Sequence, residues 1–493
     1  SYQKMRTMDI DNKIAPRLYF DPRPRQFNIP VEQEKIQWQL PENVELPENM
    51  EELAFYPVSK LAALIKARKI TSVQLTGMYL ERLKKYKDTL QCVVTLTEEL
   101  ALNQAAKADA EIALGKYKGP LHGIPYGVKD LFAVEGYKTT WGAGPYKNQQ
   151  IEQTATVVKK LEDAGAVLVA KLTLGALAMG DVWFGGITKN PWDLNQGSSG
   201  SSAGSASATA AGLVGFALGT ETWGSIVSPS TRCGVTGLRP TFGRVSRFGA
   251  MALSWTMDKV GPICRNAYDC ALVFDVIRGA DEKDPSTTKF PFNYKENEIT
   301  DYKVGYLKSF FEEDYRGQEN DNNTLNVLKE LGVTLHTVDL PDDIPVNSLS
   351  IILEAEAAAA FDELTRSNRD DELTAQHKYA WPNIFRSARF IPAAEYIQAS
   401  RLRDMLIEEL YRVIKDYDVI VTPSYGGNQL LMTNLTGHPC VVVPNGFDDK
   451  ERPTSISFIG NLYDEAALLN FVEHYQEVTD FHRNKPEFFT AGN

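Results

Sequence analysis

Two stretches of this 493-residue chain hold residues placed for chemistry. The first, Gly219-Thr220-Glu221-Thr222-Trp223-Gly224-Ser225-Ile226, reads as a tight turn carrying a serine. A serine on a glycine-rich turn supplies an attacking oxygen. Such a turn also aims successive backbone N–H groups inward, here those of Thr222, Trp223, Gly224 and Ser225, as donors to an oxyanion. The serine needs a base. No histidine sits in a recognisable triad motif, and no Gly-x-Ser-x-Gly elbow surrounds Ser225. The second stretch, Gly119-Pro120-Leu121-His122-Gly123-Ile124-Pro125-Tyr126-Gly127-Val128-Lys129-Asp130, offers a lysine. Apolar and glycine residues precede Lys129 and argue against full exposure. A buried lysine serves as a base when desolvation leaves it neutral near pH 7. His122 is its rival for that role.

The serine turn lies within Gln196 to Pro240, a stretch dominated by glycine, serine and alanine. Such composition usually marks a flexible connector. Here Ala203 to Ala211 is rich enough in alanine to predict a helix. Leu213 to Leu218 is a short apolar run, as a buried strand has. Small residues around them mean that backbone comes close to something else.

These residues closely resemble the signature of the amidase signature hydrolases. The matching segments are Gly200-Ser201-Ser202, Ala203 to Gly212, Gly219-Thr220-Glu221, Gly224-Ser225-Ile226 and Cys233-Gly234-Val235-Thr236-Gly237-Leu238-Arg239-Pro240-Thr241. A second motif of that family matches Leu121 to Asp130, and the resemblance runs from about Phe55 to the C-terminus. It implies an α/β fold, an α/β/α sandwich with a large mixed central sheet covered by helices. It implies Ser225 as nucleophile, Lys129 as general base and Ser201 as the bridge between them. It also implies a cis peptide from Gly200 to Ser201, with Ser202 supporting the network and the oxyanion hole at Thr222, Trp223, Gly224 and Ser225. Two positions depart from the pattern. Trp223 stands where the family usually has a small residue, and Val227 replaces an arginine. Glu221 and Arg232 are expected to buttress the turn, Asp258 to be an anchor, and Cys233 to be a core thiol. Thr436 and His438 are candidates to line the pocket. Trp223 and Phe184, with Trp183 and Met179, suggest an apolar pocket, or else these aromatics belong to the core.

An amide carbonyl is a poor electrophile with a poor leaving group, so its hydrolysis needs all of these parts. The expected reaction is cleavage of a linear carboxylic amide to acid plus ammonia or amine, through a seryl acyl-enzyme. No cofactor or metal is expected. The alternative is the glutamine-hydrolysing subunit of a tRNA-dependent amidotransferase, which needs partner chains. Its C-terminal part usually carries a longer insert after the Thr-Pro segment. Here only Ser424 to Thr433 fill that place, which favours a free-standing enzyme. A catalytically dead binding protein is disfavoured by the presence of Lys129, Ser201 and Ser225.

Elements to position these residues follow in order. Residues 1–54, rich in proline, read as an N-terminal extension, either an irregular arm wrapped on the surface with room for one short strand or plain disorder. Residues 55–493 read as one large α/β domain, with a less regular insertion at about 281–400. Thr71-Ser72-Val73-Gln74 forms a capping box before a helix, and Glu98 to Leu114 is helical. Thr154 to Ala164 predicts a helix closed by Gly165, and Ala166 to Ala170 the parallel strand after it. Ile351 to Leu364 and Ala393 to Ile414 read as amphipathic helices, with Arg401 and Arg403 as salt-bridged surface groups. Composition narrows the partners. Lys plus Arg number 52 against 64 Asp plus Glu, a net charge of −12, which argues against nucleic acid. No apolar run approaches the ~20 residues that span a bilayer. Five scattered cysteines give neither a disulfide framework nor a zinc site. A soluble protein is expected, with its compartment left open: cytoplasmic, or exported after removal of an N-terminal segment, the chain beginning at Ser1 without a Met. A small-molecule amide is the expected partner, and a monomer or homodimer the expected state.

Overall fold

Thr71 opens the helix Ser72–Leu90 with a complete capping box. Its hydroxyl accepts from the Gln74 amide at 3.1 Å, and the Gln74 side chain accepts from the Thr71 amide at 3.0 Å. Leu75, Tyr79, Leu83 and Tyr86 recur at helical spacing and are buried. The helix packs against Glu98–Ala113, and both lie on the first strands of a sheet. The computed structural model describes residue 4, residues 19–28 and residues 32–490.

Eleven strands form that sheet. In chain order they are β1 (Val93–Leu96), β2 (Pro125–Lys129), β3 (Val167–Leu172), β4 (Phe216–Glu221), β5 (Thr236–Arg239) and β6 (Lys259–Cys264). There follow β7 (Val304–Tyr306), β8 (Leu335–Thr337), β9 (Val419–Pro423), β10 (Cys440–Phe447) and β11 (Pro453–Gly460). Their spatial order is β1-β3-β2-β4-β6-β5-β10-β11-β9-β7-β8. β3, β2 and β4 run parallel, as do β9, β7 and β8. The pairs between β4 and β9 are antiparallel. The result is a mixed sheet covered by helices, an α/β fold. Strands β2, β3, β4, β5 and β6 are buried almost throughout, as strands covered on both faces must be.

Most sequence-derived elements fall close to their expected places. Helices occupy Thr156–Asp163, Ala203–Ala210 and Ala393–Ile414, and β3 follows the Gly165 turn. The expected strand at 213–218 is displaced to Phe216–Glu221. Leu213 and Val214 are buried but sit in a turn whose carbonyls are satisfied from elsewhere. Arg265 donates to the Val214 carbonyl at 2.9 Å and to the Gly215 carbonyl at 2.7 Å. Residues 281–400 supply β7, β8 and the helix Gln318–Glu330, so this stretch builds one edge of the main sheet. Residues 1–3, 5–18 and 29–31 of the N-terminal arm lie outside the described residues. Its described part has no strand and packs on the body. The Phe20 ring meets Phe242 edge-on at 4.8 Å, and Trp38 donates to Asp275 at 3.1 Å. All five cysteines are buried and free. No described helix is long and apolar enough to cross a membrane.

Candidate active site

β2 and β4 are parallel neighbours, with Tyr126 opposite Phe216 and Val128 opposite Leu218. That register sets Lys129 beside Gly219 and Thr220 at one end of both strands. Lys129 is fully buried. Its Nζ donates to Ser201 Oγ at 2.8 Å, Thr220 Oγ1 at 2.9 Å and Ser202 Oγ at 3.1 Å. Burial pushes its pKa down to about 7, and the Asp258 and Glu221 carboxylates only partly oppose this. An amine so perturbed is substantially neutral near pH 7.

Ser201 and Ser202 lead into the helix Ala203–Ala210. The Gly200–Ser201 peptide is cis. A Cβ on Gly200 would lie 1.9 Å from the Gly180 carbonyl oxygen, so no larger residue fits. Ser202 is tied into β4, its Oγ donating to the Thr220 carbonyl and accepting from the Thr220 amide, each at 3.1 Å. Gly219 leaves room for it, since a Cβ there would come within 2.7 Å of the Ser202 hydroxyl.

Beyond Glu221 the chain leaves β4, Gly224 adopts a φ of +82°, and the helix Val227–Cys233 begins. Buried Glu221 organises the turn. One carboxylate oxygen accepts from the Ile226 and Val227 amides at 2.8 and 2.9 Å. The other accepts from Arg239 at 2.9 Å and Asn434 at 2.8 Å. Burial opposes this charge, but Arg239, the Val227 amide and Asn434 outweigh it and hold the carboxyl at about 2. Among the described residues nothing accepts from the amides of Trp223, Gly224 or Ser225. Those donors are open to a ligand. Ser225 is half-buried, and its carbonyl accepts from the Ser202 amide at 3.1 Å, which joins the two serine segments. Among the described residues no hydrogen bond links the Ser201 and Ser225 hydroxyls.

Asp258 fixes the turn from the other side. Thr222 Oγ1 donates to one carboxylate oxygen at 2.5 Å, and the Leu253 and Ser254 amides donate to the other at 2.8 and 3.0 Å. The arrangement holds a neutral-capable amine against one serine hydroxyl, beside a second, partly exposed serine that lies among unused amides. It has the parts for acyl transfer.

A family model described as Amidase matches residues 74–432. The chain belongs to the amidase family. It is 34% identical over 482 residues to a glutamyl-tRNA(Gln) amidotransferase subunit of Marinomonas sp. (strain MWYL1), covering 87% of this chain and 98% of that relative. Among solved structures it is similar to native peptide amidase from Stenotrophomonas maltophilia. That match has a TM-score of 0.78 at 28% identity, over 87% of this chain and 98% of that one. The corresponding glutamyl-tRNA(Gln) amidotransferase subunit from Thermotoga maritima matches with a TM-score of 0.72 at 27% identity, over 86% and 94% of the two chains.

In this chain several expected positions differ. The ion-pair partner of Glu221 is Arg239 on β5, at 2.9 Å. Arg403 is no surface group. It is buried, donating to the Thr256 carbonyl and hydroxyl at 2.7 Å each and to the Leu435 carbonyl at 2.5 Å. Thr436 and His438 are buried and hydrogen-bonded to each other at 2.8 Å, with burial holding the His438 pKa at about 3. His122 lies in a turn before β2, the whole length of the strand away from Lys129 at its other end. It is buried, with Nε2 3.1 Å from Glu111 and Nδ1 accepting from the Lys118 amide. The Trp223 ring is 45% exposed, so it does not wall the site in. Sequence reasoning assigned no role to Thr220, Arg239 or Asn434. The available signal was Glu221 itself, since a carboxylate closing an apolar strand requires a buried cation.

Proposed function

We propose that the chain hydrolyses a carboxylic amide through a seryl acyl-enzyme. The observation that carries this reading is buried Lys129, 2.8 Å from Ser201 Oγ, with its pKa lowered to about 7. Ser225 Oγ attacks the amide carbonyl carbon while its proton passes through Ser201 Oγ to neutral Lys129 Nζ. The carbonyl oxygen becomes an oxyanion and accepts from the amides of Thr222, Trp223, Gly224 and Ser225. Collapse of this intermediate breaks the C–N bond, and the proton returns through Ser201 to the leaving nitrogen. Water then attacks the acyl-enzyme by the same proton route and releases the acid. Ser202 keeps Ser201 and Lys129 in register. No step calls for a metal or cofactor.

Two substrate classes are supported by separate observations. Glutamine is favoured by the curated relatives, which are named as subunits of glutamyl-tRNA(Gln) amidotransferase and are matched over nearly their whole length. In that reading the chain works with further subunits. A free-standing amidase is favoured by the short link between β9 and the helix Gln429–Thr436, and by the likeness to the Stenotrophomonas peptide amidase. Ammonia release by the purified chain separates them, measured with glutamine beside aliphatic, aryl and peptide amides. Marked preference for glutamine together with a co-purifying partner selects the first class. Turnover of simple amides by the isolated chain selects the second. No release from any amide defeats the proposal.

A further inference from the structure

Beside the lysine–serine cluster a cavity of about 190 Å³ opens to the surface. Thr220, which accepts from Lys129, and Thr222, the first residue of the turn, both line it. Its walls are apolar, formed by Leu131, Met251, Leu253 and Val260, and Trp255 stands at the rim, 49% exposed. Arg247, Asp258, Lys259, Lys283 and Asp284 also line the cavity. Buried Lys259 donates to the Met257 and Asn434 carbonyls. Arg247 pairs with Asp284 at 3.3 Å and donates to the Trp255 carbonyl at 2.6 Å, and Lys283 lies 4.9 Å over the Phe248 ring.

The wall is held in place before any ligand arrives. The Met251 amide donates to the Leu131 carbonyl at 3.0 Å. Asp258 grips the wall through the Leu253 and Ser254 amides with one oxygen, and the turn through Thr222 with the other. The wall and the candidate oxyanion turn thus share one anchor. A group seated in the cavity is positioned relative to that turn.

We propose that this cavity receives an uncharged, ring-sized apolar substituent of the amide substrate, and that Met251, Ala252 and Trp255 set its selectivity. The proposal rests on the amide-hydrolysis reading above. Size and chemistry carry it. A dry cavity of roughly 150 Å³ lined by aliphatic and aromatic side chains accommodates benzene. The present cavity has room for one aromatic ring or a branched alkyl group, and the ionic side chains that line it have partners of their own in the fold.

The test uses phenylacetamide and acetamide, which share a primary amide and differ by the ring. Ala252 is half-buried on the cavity wall, so Ala252→Phe places a ring in the space. The ratio of kcat/KM for phenylacetamide to that for acetamide is expected to fall about tenfold or more in this variant. Trp255→Ala, which opens the rim, is expected to lower the same ratio less. Phenylacetamide binding to Ser225→Ala protein, measured by calorimetry, is expected to weaken about tenfold when Ala252→Phe is added. A ratio and a binding constant that both stay within about threefold overturn the proposal. If the wild type cleaves neither amide nor glutamine, the amide-hydrolysis reading fails instead, and the binding measurement still decides the cavity.

Discussion

Lys129 changes charge in the range where the protein would be assayed, because burial has lowered its pKa to about 7. As the base it must be neutral, so activity is expected to fall as pH drops through about 7. His122→Ala is expected to leave this acidic limb in place, and a limb that moves with His122 would transfer the role to histidine. Lys129→Ala and Ser225→Ala are each expected to reduce turnover by about 10³ or more while circular dichroism stays unchanged. The same shift makes a claim on stability. In the unfolded chain this lysine titrates near its ordinary value of 10.5. Between about 7 and 10.5 the unfolded chain therefore holds one more proton than the folded one. The folded state then gains about 1.4 kcal/mol per pH unit as pH rises through that window. Lys129→Met has no such dependence. Urea titrations are expected to find its stability advantage over wild type largest at pH 7 and shrinking toward pH 10.

At the scale of elements, the turn after β4 is held by a carboxylate rather than by its own sequence. Glu221 takes the two amides that begin the helix Val227–Cys233 and leaves those of Trp223, Gly224 and Ser225 unused. Glu221→Gln removes the counter-charge of buried Arg239. Breaking a buried pair in this way costs about 3–5 kcal/mol, and the denaturant midpoint is expected to fall accordingly. Adding Arg239→Met removes the stranded cation and is expected to recover part of the loss. Such partnerships explain what the sequence could and could not disclose. The capping box at Thr71 and the helix Ala393–Ile414 rest on local chemistry and periodicity, and both were readable. So were the segments bearing Lys129, Ser201 and Ser225, because their residue types and order match a family pattern. Arg403 was read as a surface group because a charge on an amphipathic helix usually faces water. Only the fold brings the Thr256 and Leu435 carbonyls to it. β4 begins three residues later than its apolar run because Arg265, some fifty positions away, satisfies the carbonyls of a turn. Neither contact has a local signal.

For the whole molecule, the described part of the N-terminal arm belongs to the packing. Phe20 is buried between Phe242 and Ile407, and the Arg403 guanidinium lies 3.5 Å over its ring. Phe20→Ala is expected to cost about 3 kcal/mol in urea unfolding while leaving kcat near wild type, since the ring touches no candidate site residue. The cysteines have a different use. All five are buried, and burial raises the thiol pKa of Cys92, Cys233, Cys264 and Cys440. Alkylating reagents act on thiolates, so the folded chain offers them almost no target. Cys233 and Cys440 sit near the serine turn and on β10, Cys264 and Cys270 on β6 and the helix after it, and Cys92 before β1. Each thiol therefore becomes a clock for the opening of its own neighbourhood. The order in which iodoacetamide marks them under mild denaturant would rank the regions of the sheet by how often they come apart.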